Sequence, residues 1–273
     1  MKKTILLILL SAVLPACSLF SDQKDTDQYA GWSADQFYTE AKKSLIEGNY
    51  QQAVTLYEKL ESRYPFGKYS NQAQMDIAYA YYKNDEPDSA IAAADRFISL
   101  NPRNPHVDYA YYLRALTNYN RGISFMDRFL PTDTTQRDPT PAKEAQQQFH
   151  ELISKFPGSP YSADARQRVV ALRNNIAMYE ANVAEYYLRR GAYVAAAKRC
   201  ESIIRDYQRT PAVPVALKML EDSYRHLELA ELADAAAHIY AHNYREGVPL
   251  PADVRERTAV EKLWDILGLE KDN

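Results

Sequence analysis

Residues 34–67 contain the clearest repeat pattern of this chain, ADQFYTEAKKSLIEGNYQQAVTLYEKLESRYPFG. Ala41 and Ala53 lie 12 residues apart, on either side of the turn-forming residues Glu47-Gly48-Asn49. Small side chains at these two positions let two antiparallel helices approach closely. Pro65 ends the second helix, because proline cannot continue one. The stretch therefore predicts a helix, a turn and a second helix.

The same pairing of small residues recurs along the chain. The five pairs are Ala41 and Ala53, Ala78 and Ala90, Ala115 and Ala145, Ala184 and Ala196, and Ser223 and Ala235. The third pair is separated by an insertion, and the fifth, followed by Ile239, is the weakest match. The pattern is similar to the tetratricopeptide repeat, in which helical pairs stack to bury their apolar faces. We therefore expect an all-α fold, a right-handed α-solenoid of about five helix-turn-helix repeats.

The repeats predict two halves. Repeats one to three occupy residues 34–160, with an insertion at 121–141, and repeats four and five occupy 161–245. The apolar part of the insertion, residues 123–130, either extends a helix or contacts a substrate. Between Tyr161 and Arg190 there is no glycine or proline, which predicts one long helix joining the halves.

The C-terminal tail, residues 246–273, carries a short apolar stripe. Val260, Leu263, Trp264 and Leu267 recur at the spacing of one helix face. Solenoids need a cap on their last repeat, and this helix is suited to that role. A partner-binding helix is the alternative.

The N-terminus carries a targeting segment. Lys2 and Lys3 precede a short apolar run in residues 1–16, which is typical of a signal peptide. The sequence Leu14-Pro15-Ala16-Cys17 is similar to a bacterial lipobox, which predicts that Cys17 is acylated and begins the mature chain. The alternative is an ordinary signal peptide with an incidental cysteine.

A flexible, lipidated tether is expected at residues 17–33, where polar residues show no periodicity. Ser33 followed by Gln36 predicts a capping box that opens the first helix. Cys200 is then the remaining thiol, and it occupies a bulky position of the fourth repeat. We expect it to be buried, since it has no cysteine to pair with inside the chain.

The composition excludes several classes of function. The chain has 33 basic and 36 acidic residues, a net charge of −3. Removal of the signal peptide with Lys2 and Lys3 changes the net charge to −5. A mildly acidic protein is not expected to bind nucleic acid. His238 and His242 share a helix face, but no glutamate stands between them in a metalloprotease pattern. Neither a catalytic motif nor a metal site is predicted, and the only expected cofactor is the lipid on Cys17.

Several longer motifs are more specific than the repeat positions. They are RYPFGKYS at 63–70, YAYYK at 79–83, DRFISLNP at 95–102, RALTN at 114–118 and VAEYYLRRGAYVAA at 183–196. Together these motifs resemble the BamD (ComL) family of outer-membrane assembly lipoproteins, from about residue 17 to 245.

The resemblance implies a non-enzymatic lipoprotein on the periplasmic face of the outer membrane. Ser18 after the cysteine also favours the outer membrane, by resemblance to sorted lipoproteins. The implied partners are a BamA-type barrel subunit, accessory lipoproteins of the β-barrel assembly complex, and unfolded outer-membrane proteins. The alternative is a pilotin-like or other scaffold lipoprotein with the same repeats.

The first helices of repeats one to three predict a peptide-binding groove. Its predicted lining residues are Tyr38, Lys42, Tyr79, Tyr82, Lys83, Tyr112, Tyr119 and Asn120. Tyrosine offers apolar area with a polar tip, and the two lysines can hold a terminal carboxylate by charge-assisted hydrogen bonds. The resemblance implies that this half receives the C-terminal signal of unfolded barrel proteins. The alternative is that several of these tyrosines pack between helices.

The fourth repeat is basic. From Tyr186 to Arg225 eight basic residues oppose four acidic ones, whereas the following segment is acidic. Such a charge pattern suits a docking surface, although solvated helix faces would give it too. The resemblance implies that this half holds the soluble periplasmic domains of the barrel subunit. Arg199 matches the arginine of the family's contact helix, and Arg189 and Arg190 are further candidates for that interface.

Overall fold

The computed structural model describes residues 28–121 and 134–244. The predictions for the signal peptide, for Cys17, for the apolar part of the insertion and for the tail at 246–273 lie outside these residues. The described residues form ten α-helices and one short 3-10 helix, Thr134–Gln136, and contain no strand. The expected all-α fold is confirmed.

The ten helices follow one another as five antiparallel pairs. They are α1 (Ala34–Ile46), α2 (Tyr50–Arg63), α3 (Ser70–Lys83), α4 (Pro87–Leu100), α5 (Val107–Asn120), α6 (Thr140–Lys155), α7 (Ser162–Arg189), α8 (Tyr193–Asp206), α9 (Ala212–His226) and α10 (Ala230–Asn243). Each helix packs against the helices before and after it, so the core is continuous from pair to pair. This is the tetratricopeptide-repeat α-solenoid that the sequence predicts.

The predicted small residues of the first four repeats are buried in the packed helical core. In the first four repeats all eight are fully buried: Ala41, Ala53, Ala78, Ala90, Ala115, Ala145, Ala184 and Ala196. The second helices supply the bulk of the core through Tyr57, Phe97, Phe149 and Cys200, which are also buried. Small residues against large ones let the layers interlock at the density of a protein interior.

The second helix of the fifth repeat buries residues other than those the sequence predicts. Ala235 and Ile239 are exposed, whereas Ala233 and Ala236 are buried. The turn before this helix is at Glu228, whose φ of 60° lies in the left-handed region. The equivalent turns of repeats one and four use Gly48 and Gly191, with φ of 82° and 72°. Of the predicted pair of small residues in the fifth repeat, Ser223 is buried and Ala235 is not.

The long helix predicted before Arg190 is confirmed. α7 runs for 28 residues, from Ser162 to Arg189, and packs against α6, α8 and α9. At a rise of 1.5 Å per residue it is roughly 42 Å long. A single rigid element therefore belongs to the third, fourth and fifth layers of the stack.

The start of the described chain is packed rather than free. The predicted capping box is present: the Gln36 amide donates to Ser33 Oγ at 3.3 Å, and the Ser33 amide donates to Gln36 Oε1 at 2.8 Å. Just before it, Tyr29 is buried, and its ring lies 4.9 Å from that of Trp32 and 5.8 Å from that of Phe37. Residues 28–33 therefore close the apolar end of the first repeat, although the sequence predicted a flexible tether there.

Cys200 is buried, as predicted from its place in the repeat. Its side chain has no exposed surface, and burial raises the pKa of the thiol to about 12. The thiol is therefore neutral at physiological pH and acts as an apolar core residue.

Phe149 and Phe66 test the packing as a matched pair. Phe149 is fully buried in the third repeat, whereas 98% of the Phe66 side chain is exposed. Phe149→Ala should lower the free energy of unfolding by about 3–5 kcal/mol, because it leaves a cavity. Phe66→Ala should change it by less than about 0.5 kcal/mol. Urea unfolding followed by circular dichroism measures both, and equal effects would contradict the packing described above.

Candidate functional site

A pocket of about 640 Å³ opens between the first three repeats. We call it the tyrosine pocket, because Tyr50, Tyr79, Tyr109 and Tyr161 line it. Its polar lining is completed by Lys42, Asn71, Gln72, Asp76, Asn104 and His106. The lining comes from helices α1 to α5, the turn before α5 and the residue before α7, so the pocket exists only when the repeats stack.

Asp76 of α3 is the centre of a buried polar cluster beside the pocket. Its side chain is 9% exposed. Its Oδ2 accepts hydrogen bonds from Lys42 Nζ at 3.0 Å, Tyr57 OH at 3.0 Å and Tyr38 OH at 3.3 Å. Its Oδ1 accepts from Gln72 Nε2 at 2.8 Å. Because a buried carboxylate needs such partners, this Asp76 cluster ties α1, α2 and α3 into one fixed arrangement.

The tyrosines of the Asp76 cluster remain protonated at physiological pH. Burial, reinforced by the Asp76 carboxylate, raises the pKa of Tyr38 to about 12. The same two causes raise the pKa of Tyr57 further, because Tyr57 is more deeply buried. Both hydroxyls therefore stay hydrogen-bond donors to Asp76. The ring of Tyr38 also stacks on that of Tyr69, with centroids 4.3 Å apart.

Tyr79, Tyr82 and Asn120 form a second group of predicted groove residues. Asn120 donates a hydrogen bond to the Tyr82 hydroxyl at 2.7 Å, which joins α5 to α3. The rings of Tyr79 and Tyr82 lie 6.2 Å apart. Lys83 is exposed, with its Nζ 5.4 Å from the centroid of the Tyr50 ring at the pocket.

Tyr112 and Tyr119 pack against the third and fourth repeats. The Tyr112 hydroxyl donates to Asp164 at 2.8 Å, and its ring stacks on Tyr161 at 4.8 Å. Burial is the main cause of the raised pKa of Tyr112. The Arg168 guanidinium lies 4.6 Å from the centre of the Tyr119 ring. Both tyrosines therefore pack between helices. This packing was the alternative to a ligand-binding role in the sequence analysis.

The structure thus gathers only part of the predicted groove. Among the eight predicted residues, Lys42 and Tyr79 line the tyrosine pocket. Tyr38 does not line it but donates a hydrogen bond to Asp76, which does. Sequence reasoning missed Asp76, Tyr109 and Tyr161. A signal for Asp76 was present, because a carboxylate inside the apolar run MDIAYAYY lies one turn from Tyr79 on the same helix face.

The predicted interface arginines lie on the surface of the fourth repeat. Arg199 of α8 is exposed, and its Nη1 pairs with Glu180 Oε2 of α7 at 2.7 Å. Lys143 of α6 approaches the other oxygen of Glu180 at 3.5 Å. Arg199 points away from Cys200 as expected, but an acidic partner inside the chain already holds it. Arg189 is exposed, and the exposed Arg190 lies with its guanidinium 5.3 Å from the centre of the Tyr186 ring.

In residues 28–121 and 134–244 no group of three or more His, Cys, Asp or Glu side chains is placed to hold a metal ion. None of the helices described is both long enough and apolar enough to cross a membrane. His238 and His242 lie on one face of α10 with their rings 6.4 Å apart.

The fold and the pocket define a class of protein: a tetratricopeptide-repeat solenoid with an open pocket lined by tyrosines. Residues 31–239 match the YfiO family, described as outer membrane lipoprotein, and the chain belongs to that family.

Relatives named "Outer membrane protein assembly factor BamD" are similar over most of the chain. The one from Neisseria meningitidis serogroup B is 43% identical over 245 residues, covering 89% of this chain and 92% of that protein. The one from Vibrio cholerae serotype O1 is 36% identical over 234 residues, covering 86% and 97%. A thermophilic tetratricopeptide-repeat protein of Thermus thermophilus has a solved structure with 13% identity and a TM-score of 0.32, covering 85% of this chain and 100% of that chain.

The resemblance seen in the sequence motifs is confirmed by these relatives. They favour the assembly-factor interpretation over the pilotin-like alternative, and none of them is named as an enzyme.

The Asp76 cluster can be tested by a double-mutant cycle. Asp76→Ala leaves the buried Tyr57 hydroxyl without its acceptor, which should cost about 1–3 kcal/mol of unfolding free energy. Tyr57→Phe in the Asp76→Ala background should cost less than Tyr57→Phe alone, because no hydrogen bond remains to be lost. Chemical denaturation of the four proteins measures the coupling. Additive effects would mean that the hydrogen bond contributes nothing.

Proposed function

We propose that this chain is a non-enzymatic subunit of the machinery that assembles β-barrel proteins in the outer membrane. Lipid on Cys17 anchors it to the periplasmic face of that membrane. Its partners are a BamA-type barrel subunit, the accessory lipoproteins of the complex and unfolded outer-membrane proteins. The proposal is supported by the names of the relatives, by the family description and by the lipobox-like sequence before Cys17.

The tyrosine pocket is the proposed site for the C-terminal signal of unfolded barrel proteins. The observation that carries this part is a pocket of about 640 Å³ that combines four tyrosine rings with polar groups and a lysine. Aromatic rings suit an aromatic side chain at the peptide terminus. Such signals end in an aromatic residue and a free carboxylate. A cation close to the tyrosine rings would therefore pair with that carboxylate.

Lys83 is better suited than Lys42 to bind the peptide carboxylate. The Lys42 ammonium is neutralised by Asp76 at 3.0 Å, so a second carboxylate there would be repelled by the first. The exposed Lys83 lies over the ring of Tyr50, which lines the pocket. An ammonium has three N–H donors, and contact with the ring face leaves donors directed toward solvent for a carboxylate. Lys42 keeps the remaining role of holding Asp76 in place.

Peptide binding to the mature chain tests this assignment. A barrel-protein C-terminal peptide should bind about tenfold more weakly when its carboxylate is amidated, which corresponds to about 1.4 kcal/mol. Lys83→Gln should remove most of the difference between the free and amidated peptides, because the cation is lost. Lys143→Gln is the matched control, since Lys143 lies outside the pocket. Fluorescence anisotropy measures all of these combinations, and equal binding of the two peptides to the wild-type chain would refute a carboxylate site.

The basic surface of the fourth repeat is the proposed docking site for the soluble domains of the barrel subunit. Arg199 is exposed on α8, and Arg189 and Arg190 are exposed at the last residue of α7 and just after it. The Arg199 side chain is 45% exposed and uses one nitrogen on Glu180, so its other donors remain directed outward for a partner carboxylate. Charge complementarity at such a surface mainly determines specificity and association rate.

Charge reversal at Arg199 tests the docking site. Arg199→Glu should abolish co-purification with the barrel subunit while leaving the helical circular dichroism spectrum unchanged, because Lys143 at 3.5 Å still pairs with Glu180. Arg205→Glu is the matched control, since Arg205 lies on the same helix and pairs with its neighbour Asp206. Glu180→Gln should keep the complex, because it leaves the Arg199 charge in place. A folded Arg199→Glu protein that co-purifies at wild-type yield would exclude this role.

A further inference from the structure

Phe66 is the most exposed large apolar side chain of the described residues. It is 98% exposed, in the turn between α2 and α3. The turn is held by three hydrogen bonds: the Gly67 amide to the Tyr64 carbonyl at 3.3 Å, the Ser70 amide to the Gly67 carbonyl at 3.0 Å, and Ser70 Oγ to the Pro65 carbonyl at 2.7 Å. The ring is therefore presented on a fixed backbone. We call residues 64–68 the Phe66 turn.

The Phe66 turn lies beside the point where the N-terminal tether joins the solenoid. The Tyr64 hydroxyl donates to the Trp32 carbonyl at 2.8 Å, and Arg63 donates to the Tyr29 carbonyl at 2.6 Å. The chain that leads back to Cys17 therefore departs from this end of the first repeat.

The length of the tether limits how far this end can be from the membrane. Eleven residue steps separate Cys17 from Gln28, and at 3.3–3.6 Å per residue the extended chain spans at most about 40 Å. With Cys17 acylated, Gln28 is confined to that distance from the bilayer, and the Phe66 turn lies at the same end of the first repeat. Such confinement gives it a high effective concentration at the lipid surface, so a contact that would be too weak alone becomes populated.

We infer that the Phe66 turn docks on the lipid bilayer, with the Phe66 ring inserted at the interface between headgroups and acyl chains. The inference rests on the proposed lipid anchor at Cys17. Aromatic rings with polar neighbours are suited to this depth of a membrane. Tyr64 is 37% exposed, and Lys68 can keep its ammonium among the headgroups while its stem lies along the surface.

The size and charges of this surface favour lipid over a protein partner. A stable protein interface buries at least about 1,000 Å², whereas a single projecting ring offers only part of a Phe side chain's roughly 150–250 Å². The nearby ammonium of Lys68 is paired with Asp35 at 2.8 Å, so the contact is mainly apolar. It should therefore depend little on anionic lipid.

The contact can be measured with a fluorophore at residue 66. Phe66→Cys offers a selective labelling site in the acylated full chain, because Cys17 carries lipid and Cys200 is fully buried. An environment-sensitive dye is attached, and the protein is reconstituted in phosphatidylethanolamine vesicles with and without phosphatidylglycerol. Lipids brominated in their acyl chains then quench any dye that reaches the bilayer. Val170→Cys, on α7 and 61% exposed, is the matched control.

Quenching by brominated lipid should be severalfold greater at residue 66 than at residue 170, in both vesicle compositions. Equal quenching at the two positions, with the protein still floating with the vesicles, would overturn the membrane contact and leave the anchor intact. A shift in emission at residue 66 that depends on protein concentration and not on brominated lipid would point to a second protein copy and also overturn it. Failure of the unlabelled wild-type chain to float would reject the anchor itself, and the inference with it.

Discussion

The helices of the first four repeats pack against one another through buried alanines, and the rest of the solenoid is built on this packing. The eight alanines at the repeat contacts have no exposed surface, and a methyl group is all that separates one backbone from the next helix. Larger side chains would force the helices apart, and the bulky residues of the second helices would lose their neighbours. Because every pair packs on the next, a displacement in one repeat cannot be confined to it.

Tyrosine hydroxyls and carboxylates form the second, polar set of contacts between repeats. Tyr81 donates to Glu58 at 2.7 Å, and Tyr224 donates to Glu201 at 2.6 Å. Each pair joins the second helix of one repeat to the first helix of the next, at equivalent positions 23 residues apart. Many of the 22 tyrosines therefore hold the solenoid together, and fewer remain for a ligand than a count of tyrosines would imply.

Features that depend on the spacing of residues within a repeat could be predicted from the sequence. Contacts between side chains of different helices could not. The alanine pairs, the burial of Cys200 and the length of α7 could all be predicted, because each depends on neighbours within one or two helices. The fifth repeat was predicted only in part, since Ser223 is buried but Ala235 and Ile239 are exposed. Asp76 and Glu180 were missed because their charged partners lie on other helices, and sequence spacing alone does not pair two charges across a repeat.

α7 reaches from the tyrosine pocket to the surface of the fourth repeat. Tyr161 precedes its first residue and lines the tyrosine pocket, whereas Arg189 ends it on the basic surface of the fourth repeat. Its 28 residues contain no glycine or proline at which to bend. For a straight helix of roughly 42 Å, a tilt of about one degree around one end moves the other end by about 0.7 Å. α7 therefore connects the pocket to the basic surface through one continuous helix, so a tilt of α7 at one site would displace residues at the other.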